Sequence, residues 1–237
     1  MEFTYTEYRN LLELLKSKGY KFESFDNDSD EKTVICRHDV DMSLECTLST
    51  ARIEKELNIK AIYFVLLSTN FYNIFSPESR NIIYALKKMG HEIGLHFDAS
   101  VYPNVKNEGL EIMIMNEIKI LEILLGQKVN VVSFHRPIRE LFNKRLNSGL
   151  ISAYEEKYFS EYKYVSDSRR NWRKNPYEII NENPNHIQLL THPFWYSTDV
   201  NKSAMDAVER LKIEINNTIE KSLENNITDY HQLMKGE

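Results

Sequence analysis

Apolar and polar positions follow two different periods along this chain, and the points where the period changes mark its elements. Tyr8, Leu11, Leu12 and Leu15 recur at helical spacing. They predict an opening helix over about Thr6–Lys18, with Gly19 as its stop. Asp26–Lys32 (DNDSDEK) is a polar connector. After it, short apolar or β-branched runs stand at Thr33–Cys36, Lys60–Leu67, Glu92–Phe97, Val129–Phe134, Tyr162–Ser166 and Ile187–Leu190. Helical stretches separate most of them. One is expected over Leu44–Asn58 behind Ser43, one from Ser76-Pro77-Glu78 to Gly90, and one over Gly109–Leu125 with Gly126 behind it. A closing helix is expected over Ala204–Asn225. Ser and Pro stand where helix starts favour them, and Gly where helices end. Strand and helix in alternation imply βαβ units and a parallel sheet. That sheet is either open and doubly wound or closed into a barrel, complete or not.

Composition narrows the function classes. The chain has 237 residues, 42% hydrophobic and 27% charged, as an ordinary globular protein does. One domain over residues 1–237 is expected, with 1–32 as the N-terminal helix and connector. The net charge is −5 and no long basic stripe occurs, which argues against a nucleic-acid partner. The short run Arg169, Arg170, Arg173, Lys174 reads as solvated surface. The apolar run Ala61–Leu67 falls far short of the roughly 20 residues that span a bilayer. The N-terminus shows no basic start followed by an apolar core, and Cys36 and Cys46 read as free thiols, so a cytoplasmic protein is expected. Seven glycines leave no Gly-rich phosphate loop.

Ligands of parallel α/β folds bind at the carboxyl ends of strands. The first expected strand runs into His38, Asp39 and Asp41; the third carries His96, with Asp98 behind it. The fourth ends in His135 and Arg136, the fifth runs into Asp167, and the sixth ends at His192. Each alone has a plain structural reading, as a core histidine, a helix cap or a loop residue. Together, at one end of one sheet, they point to a site. Carboxylates and imidazoles suit a divalent ion, most of all Zn²⁺, with Co, Mn, Ni or Fe as alternatives. A metal with an open position activates water for hydrolysis, and a second carboxylate and a second histidine can move the protons. Asp39 and Asp41 are two residues apart, so on a strand they face the same way.

These residues carry a resemblance. The stretch Thr33 to Tyr196 resembles the polysaccharide deacetylase family, also called NodB-like or carbohydrate esterase family 4. The matching motifs are Arg37-His38-Asp39-Val40-Asp41, Gly90-His91-Glu92-Ile93-Gly94-Leu95-His96, Phe134-His135-Arg136-Pro137 and Leu189-Leu190-Thr191-His192. The resemblance implies a distorted parallel (β/α)7 barrel and metal-dependent removal of an acetyl group from an N-acetylated sugar or glycan. It places Asp39 as catalytic base, Asp41 and His96 as metal ligands, Arg136 as the arginine that charge-pairs the base, and His192 as general acid. Trp172, behind Ser166-Asp167-Ser168, falls where the family has an aromatic wall of the sugar site. Trp172 and Asp167 are therefore the substrate-binding candidates, with a core tryptophan as the equal alternative.

The chain departs from the family pattern twice. Val40 separates two acids that are usually adjacent. Ser100 stands where the second metal histidine is expected, four residues after His96. His135 is the favoured third ligand, Asp98 the next, and His91 the last, because its odd spacing from His96 turns it to the other side of a regular strand. Two other readings stay open: a catalytically degenerate carbohydrate-binding barrel, and a metal-dependent amidohydrolase acting on a non-sugar amide.

Overall fold

The computed structural model describes residues 1–26, 31–105, 107–137 and 141–235, so most of the predicted Asp26–Lys32 connector lies outside the described residues. The chain divides into two compact units, Met1–Val200 and Asn201–Glu237. The first begins with α1 (Tyr5–Ser17), capped by the Thr4 hydroxyl. Strand β1 (Lys21–Phe22) follows, then β2 (Thr33–Val40), α2 (Thr47–Glu56), β3 (Ile62–Leu66), α3 (Pro77–Met89) and β4 (Glu92–Asp98). After them come α4 (Asn107–Leu125), β5 (Val131–His135), β6 (Ile151–Ser152), β7 (Lys163–Ser166), α5 (Pro176–Asn181) and β8 (His186–Thr191). The second unit holds α6 (Ala204–Asn226), started by a Ser203–Asp206 capping box, and α7 (Tyr230–Lys235).

All strand pairs are parallel, in the order β6-β5-β4-β3-β2-β8-β7, with β1 beside the start of β2. This is the distorted parallel (β/α)7 barrel expected from the motifs: seven strands lie on the path, and helices follow most of them. The seam lies between β6 and β7, the two ends of the path. The expected helix behind Ser43 begins later, at Thr47, because the Ser43 hydroxyl caps a preceding turn by accepting from the Cys46 N–H. Strand β2 runs four residues further than its β-rich sequence suggested, through the charged motif itself, and every residue in it is buried.

Its central place on the path gives β2 two polar faces. Arg37 and Asp39 point to one side. Cys36 and His38 point to the other, under α1 and α2. There the Glu54 carboxylate accepts from His38 Nε2 at 2.6 Å and Tyr63 at 2.7 Å, and also from Tyr8. His38 Nδ1 meets the Thr191 hydroxyl at 2.7 Å, so the chain of bonds crosses from α2 through β2 to β8. Cys36, His38 and Glu54 are also metal-type donors close together. The Tyr8 hydroxyl fills the space among them, 3.5 Å from Cys36 Sγ and 3.4 Å from His38 Nε2.

Burial alone would raise the Glu54 carboxyl; the His38 charge and hydrogen bond outweigh it, and the pKa is lowered. A carboxyl lowered in the fold contributes stability that is present above its unfolded value, near 4.3, and lost as pH falls through the folded value. Glu54→Gln is therefore expected to cost about 3–5 kcal/mol near neutral pH and to flatten the acid side of the stability profile. Urea unfolding across pH checks this, and an unchanged midpoint would contradict it. A second expectation concerns Gly94 in β4. A Cβ there would lie 2.5 Å from Phe64 Cε1 and 2.9 Å from Val131 Cγ2. Gly94→Ala should cost about 1–3 kcal/mol through overpacking, read as a lowered thermal midpoint.

Candidate active site

The site forms where β2, β4, β5 and β8 end. Register sets the strand ends side by side: His96 lies opposite Leu66 and Ser133, and Asp98 opposite His135, while the pairing of His38 with Thr191 on the other face brings Asp39 level with the end of β8. Side chains two apart on a strand share a face. Asp39 and Asp41 therefore point into the same space as His96, as Ser133 with His135, and as His192 beyond the end of β8.

Asp41 is the hub. Its Oδ1 lies 3.1 Å from His96 Nε2 and 3.3 Å from His135 Nδ1, and its Oδ2 lies 3.9 Å from His192 Nε2. Burial pushes its pKa up, but the hydrogen bonds from His135 and His96 outweigh that and hold it well below the usual carboxylate range. The Asp41 hydrogen bond in turn raises His135. Asp41, His96 and His135 can each offer one ligand atom, all within 4.8 Å of one another. Four ligands at metal distances of about 2.0–2.1 Å sit roughly 3.3–3.4 Å apart at the corners of a tetrahedron. The two separations from Asp41 fit that edge, and one carboxylate with two imidazoles suits zinc and its neighbours. His96 Nδ1 is buried without a hydrogen-bond partner among the described residues, so this ring is held by its contacts inside the cluster.

Asp39 sits 3.9 Å from His96 Nε2 and is buried. The cation beside it is Arg37, whose Nη2 is 3.6 Å from Asp39 Oδ2. Arg37 is 0% exposed and lies over the Tyr154 and Phe64 rings. Its Nη1 donates to Ser133 Oγ at 2.8 Å, and Ser133 donates to Asp39 at 3.2 Å. Its Nη2 donates to the Tyr154 hydroxyl at 3.2 Å. Burial works against the Arg37 charge, yet Asp39 outweighs it and raises the guanidinium further.

His192 is held from behind. Its Nδ1 donates to Asp167 Oδ1 at 2.6 Å, its backbone N–H donates to Asp167 Oδ2 at 3.0 Å, and Tyr196 donates to the same oxygen. Burial disfavours the imidazolium, but the Asp167 charge and hydrogen bond, with Asp41 and Asp39 beyond, raise its pKa to about 9. Such a ring carries a proton at neutral pH.

Three residues stand elsewhere than the resemblance implies. Arg136 is exposed, with φ 51°, and the partner of Asp39 is Arg37 instead; the backbone turns into the left-handed region just where β5 ends. Asp167 is 0% exposed and spends both oxygens on His192 and Tyr196, so it faces the general-acid candidate and not the solvent. Trp172 is half-buried and stacks on Phe3 at 6.3 Å, as part of the packing around the N-terminal segment. Of the other ligand candidates, Asp98 accepts from the Ser100 N–H and caps a short turn, and Ser100 is exposed. His91 lies on the far side, donating to Ala51 O and accepting from the Ala61 N–H. Arg37, Ser133 and Tyr154 were missed by sequence reasoning. Arg37 and Ser133 carried a signal, their spacing of two from Asp39 and from His135 on the same strand; Tyr154 carried none.

No family model matches the sequence, and no curated protein matches it. Among solved structures the chain is similar to the peptidoglycan deacetylase PdaC from Bacillus subtilis, with 17% identity and a TM-score of 0.50 over 85% of this chain and 100% of that one. It is also similar to a family 4 carbohydrate esterase from Bacillus anthracis, at 18% identity and a TM-score of 0.42 over 89% and 86% of the two chains. A family 4 pseudoenzyme from the same species matches at 16% identity and a TM-score of 0.45 over 83% and 65%. The likeness to PdaC concerns architecture: this chain has the fold of the NodB-like, carbohydrate esterase family 4 deacetylases.

Proposed function

We propose that this chain is a metal-dependent hydrolase that removes the acetyl group from an N-acetylated sugar or glycan. The observation that carries this reading is the set Asp41, His96 and His135, with Asp39 on one side and a carboxylate-backed His192 on the other. A divalent ion on those three ligands, zinc being the best fit, would polarise the amide carbonyl and acidify water. Asp39 takes the proton of the attacking water on a carboxylate oxygen, and Arg37 and Ser133 hold that carboxylate in place. Water adds to the carbonyl carbon and the C–N bond breaks. His192 gives the proton on Nε2 to the departing nitrogen, while Asp167 fixes the ring and balances its charge. Acetate and a free amine result.

Two sets of variants test this. Asp39→Asn and His192→Ala should each lower turnover of an N-acetylated sugar by about 10²–10⁴-fold while leaving bound metal unchanged by elemental analysis. Full turnover in either variant would remove that residue from the chemistry. Asp41→Asn, His96→Ala and His135→Ala should each weaken Zn²⁺ or Co²⁺ binding by more than the roughly 10–100-fold that loss of an outer-shell partner costs, measured by titration. Ser100→Ala and Asp98→Asn should leave it within a few-fold. If Asp98→Asn weakens binding and His135→Ala does not, the ligand set is wrong.

A further inference from the structure

A cavity of about 430 Å³ opens at the seam of the sheet, along the free edge of β7. It runs from Lys163, where β7 begins, to Ser168, just past its end. One wall is aromatic: Phe142, Tyr154, Phe159 and Tyr164, with neighbouring ring centroids 5.0–5.4 Å apart. Lys163, Arg173 and Lys174 line it as well, and Ser166 and Ser168 add hydroxyls. No carboxylate lines it among the described residues, although the chain has 35 acidic residues against 30 basic ones. Lys163 is paired with Glu182 at 3.0 Å, Lys174 also lies within electrostatic reach of that carboxylate, and Arg173 and Lys174 are exposed.

The cavity adjoins the proposed acid and base. Ser166 and Ser168 flank Asp167, which holds His192. Tyr154 accepts from Arg37, which pairs with Asp39. Flat rings offer a stacking surface for a sugar or a base, and three cations set against Glu182 leave a net positive charge that favours an anion.

We propose that the seam cavity binds the phosphate-bearing end of the substrate, so that the ligand is a sugar carried as a phosphate or nucleoside diphosphate ester and not a neutral polymer. That the sugar is N-acetylated rests on the deacetylase reading. That the ligand carries phosphate rests on the cavity alone.

Calorimetric titration of the full chain separates the two. The probes are UDP-N-acetylglucosamine, N-acetylglucosamine 1-phosphate and neutral chitotriose. At least one phosphate ester should bind tenfold or more tightly than chitotriose, and which ester wins tells a nucleotide carrier from a sugar phosphate. The exposed pair Arg173→Ala with Lys174→Ala should erase that preference. Lys119→Ala with Lys128→Ala, the same charge change on another face, should preserve it. Equal affinity for charged and neutral probes, or a preference that survives loss of Arg173 and Lys174, overturns the proposal and leaves the deacetylase reading standing. Tight, Arg173-dependent binding of a phosphate ester with no acetate released from any probe keeps the cavity and removes the deacetylase reading.

Discussion

The pairing of Arg37 with Asp39, both enclosed within the sheet, constrains the arrangement around them. Burying an ion costs several kcal/mol, and an ion pair recovers that cost only when its remaining hydrogen-bonding groups find partners. Ser133 from β5 bridges the two ions, and Tyr154 takes a further guanidinium N–H while its ring faces the cation. A carboxylate held in this way has little freedom to turn. Since strand geometry puts Asp41 on the same face two residues later, fixing Asp39 also aims Asp41 at His96 and His135.

The opposite face of β2 carries the same kind of burden. Glu54 gathers bonds from His38, Tyr8 and Tyr63, and His38 reaches Thr191 in β8. Thr191 precedes His192, so one strand residue ties the outer network to the position of the general-acid candidate. Asp167 then holds the ring from the next strand. The acid candidate His192, the base candidate Asp39 and the three metal-type donors therefore stand on strand ends pinned from both sides of the sheet, and not on long loops. Preorganisation of this kind is what a hydrolytic site requires, because charge must develop between groups that do not rearrange.

Much of this was legible in the sequence. Apolar runs alternating with capped amphipathic helices define a parallel α/β fold, since strands buried on both faces have few alternatives. The two-residue strands β1 and β6 and the six-residue α5 were too short to leave a pattern. Asp41, His96 and His135 stood out among the strand-end residues, the family resemblance singled out Asp41 and His96 as ligand candidates, and the fold brings the three donors together. The partner of Asp39 was not legible, for a physical reason. Arg136 follows a strand, but the backbone there turns to positive φ, and sequence adjacency does not set where a turn sends its side chain. Asp167 was visible as an acid at a strand end. Its attachment to His192 depends on the register of β7 against β8, with Ser166 opposite Leu190, which no local pattern encodes.

The most direct test of the central claim is a crystal structure of the protein grown with Zn²⁺, with anomalous data collected at the zinc edge. One strong peak is expected about 2.0–2.2 Å from a carboxylate oxygen of Asp41, Nε2 of His96 and Nδ1 of His135, with Asp39 nearby but not bound to it. A peak that excludes His135, or none among these three residues, would contradict it.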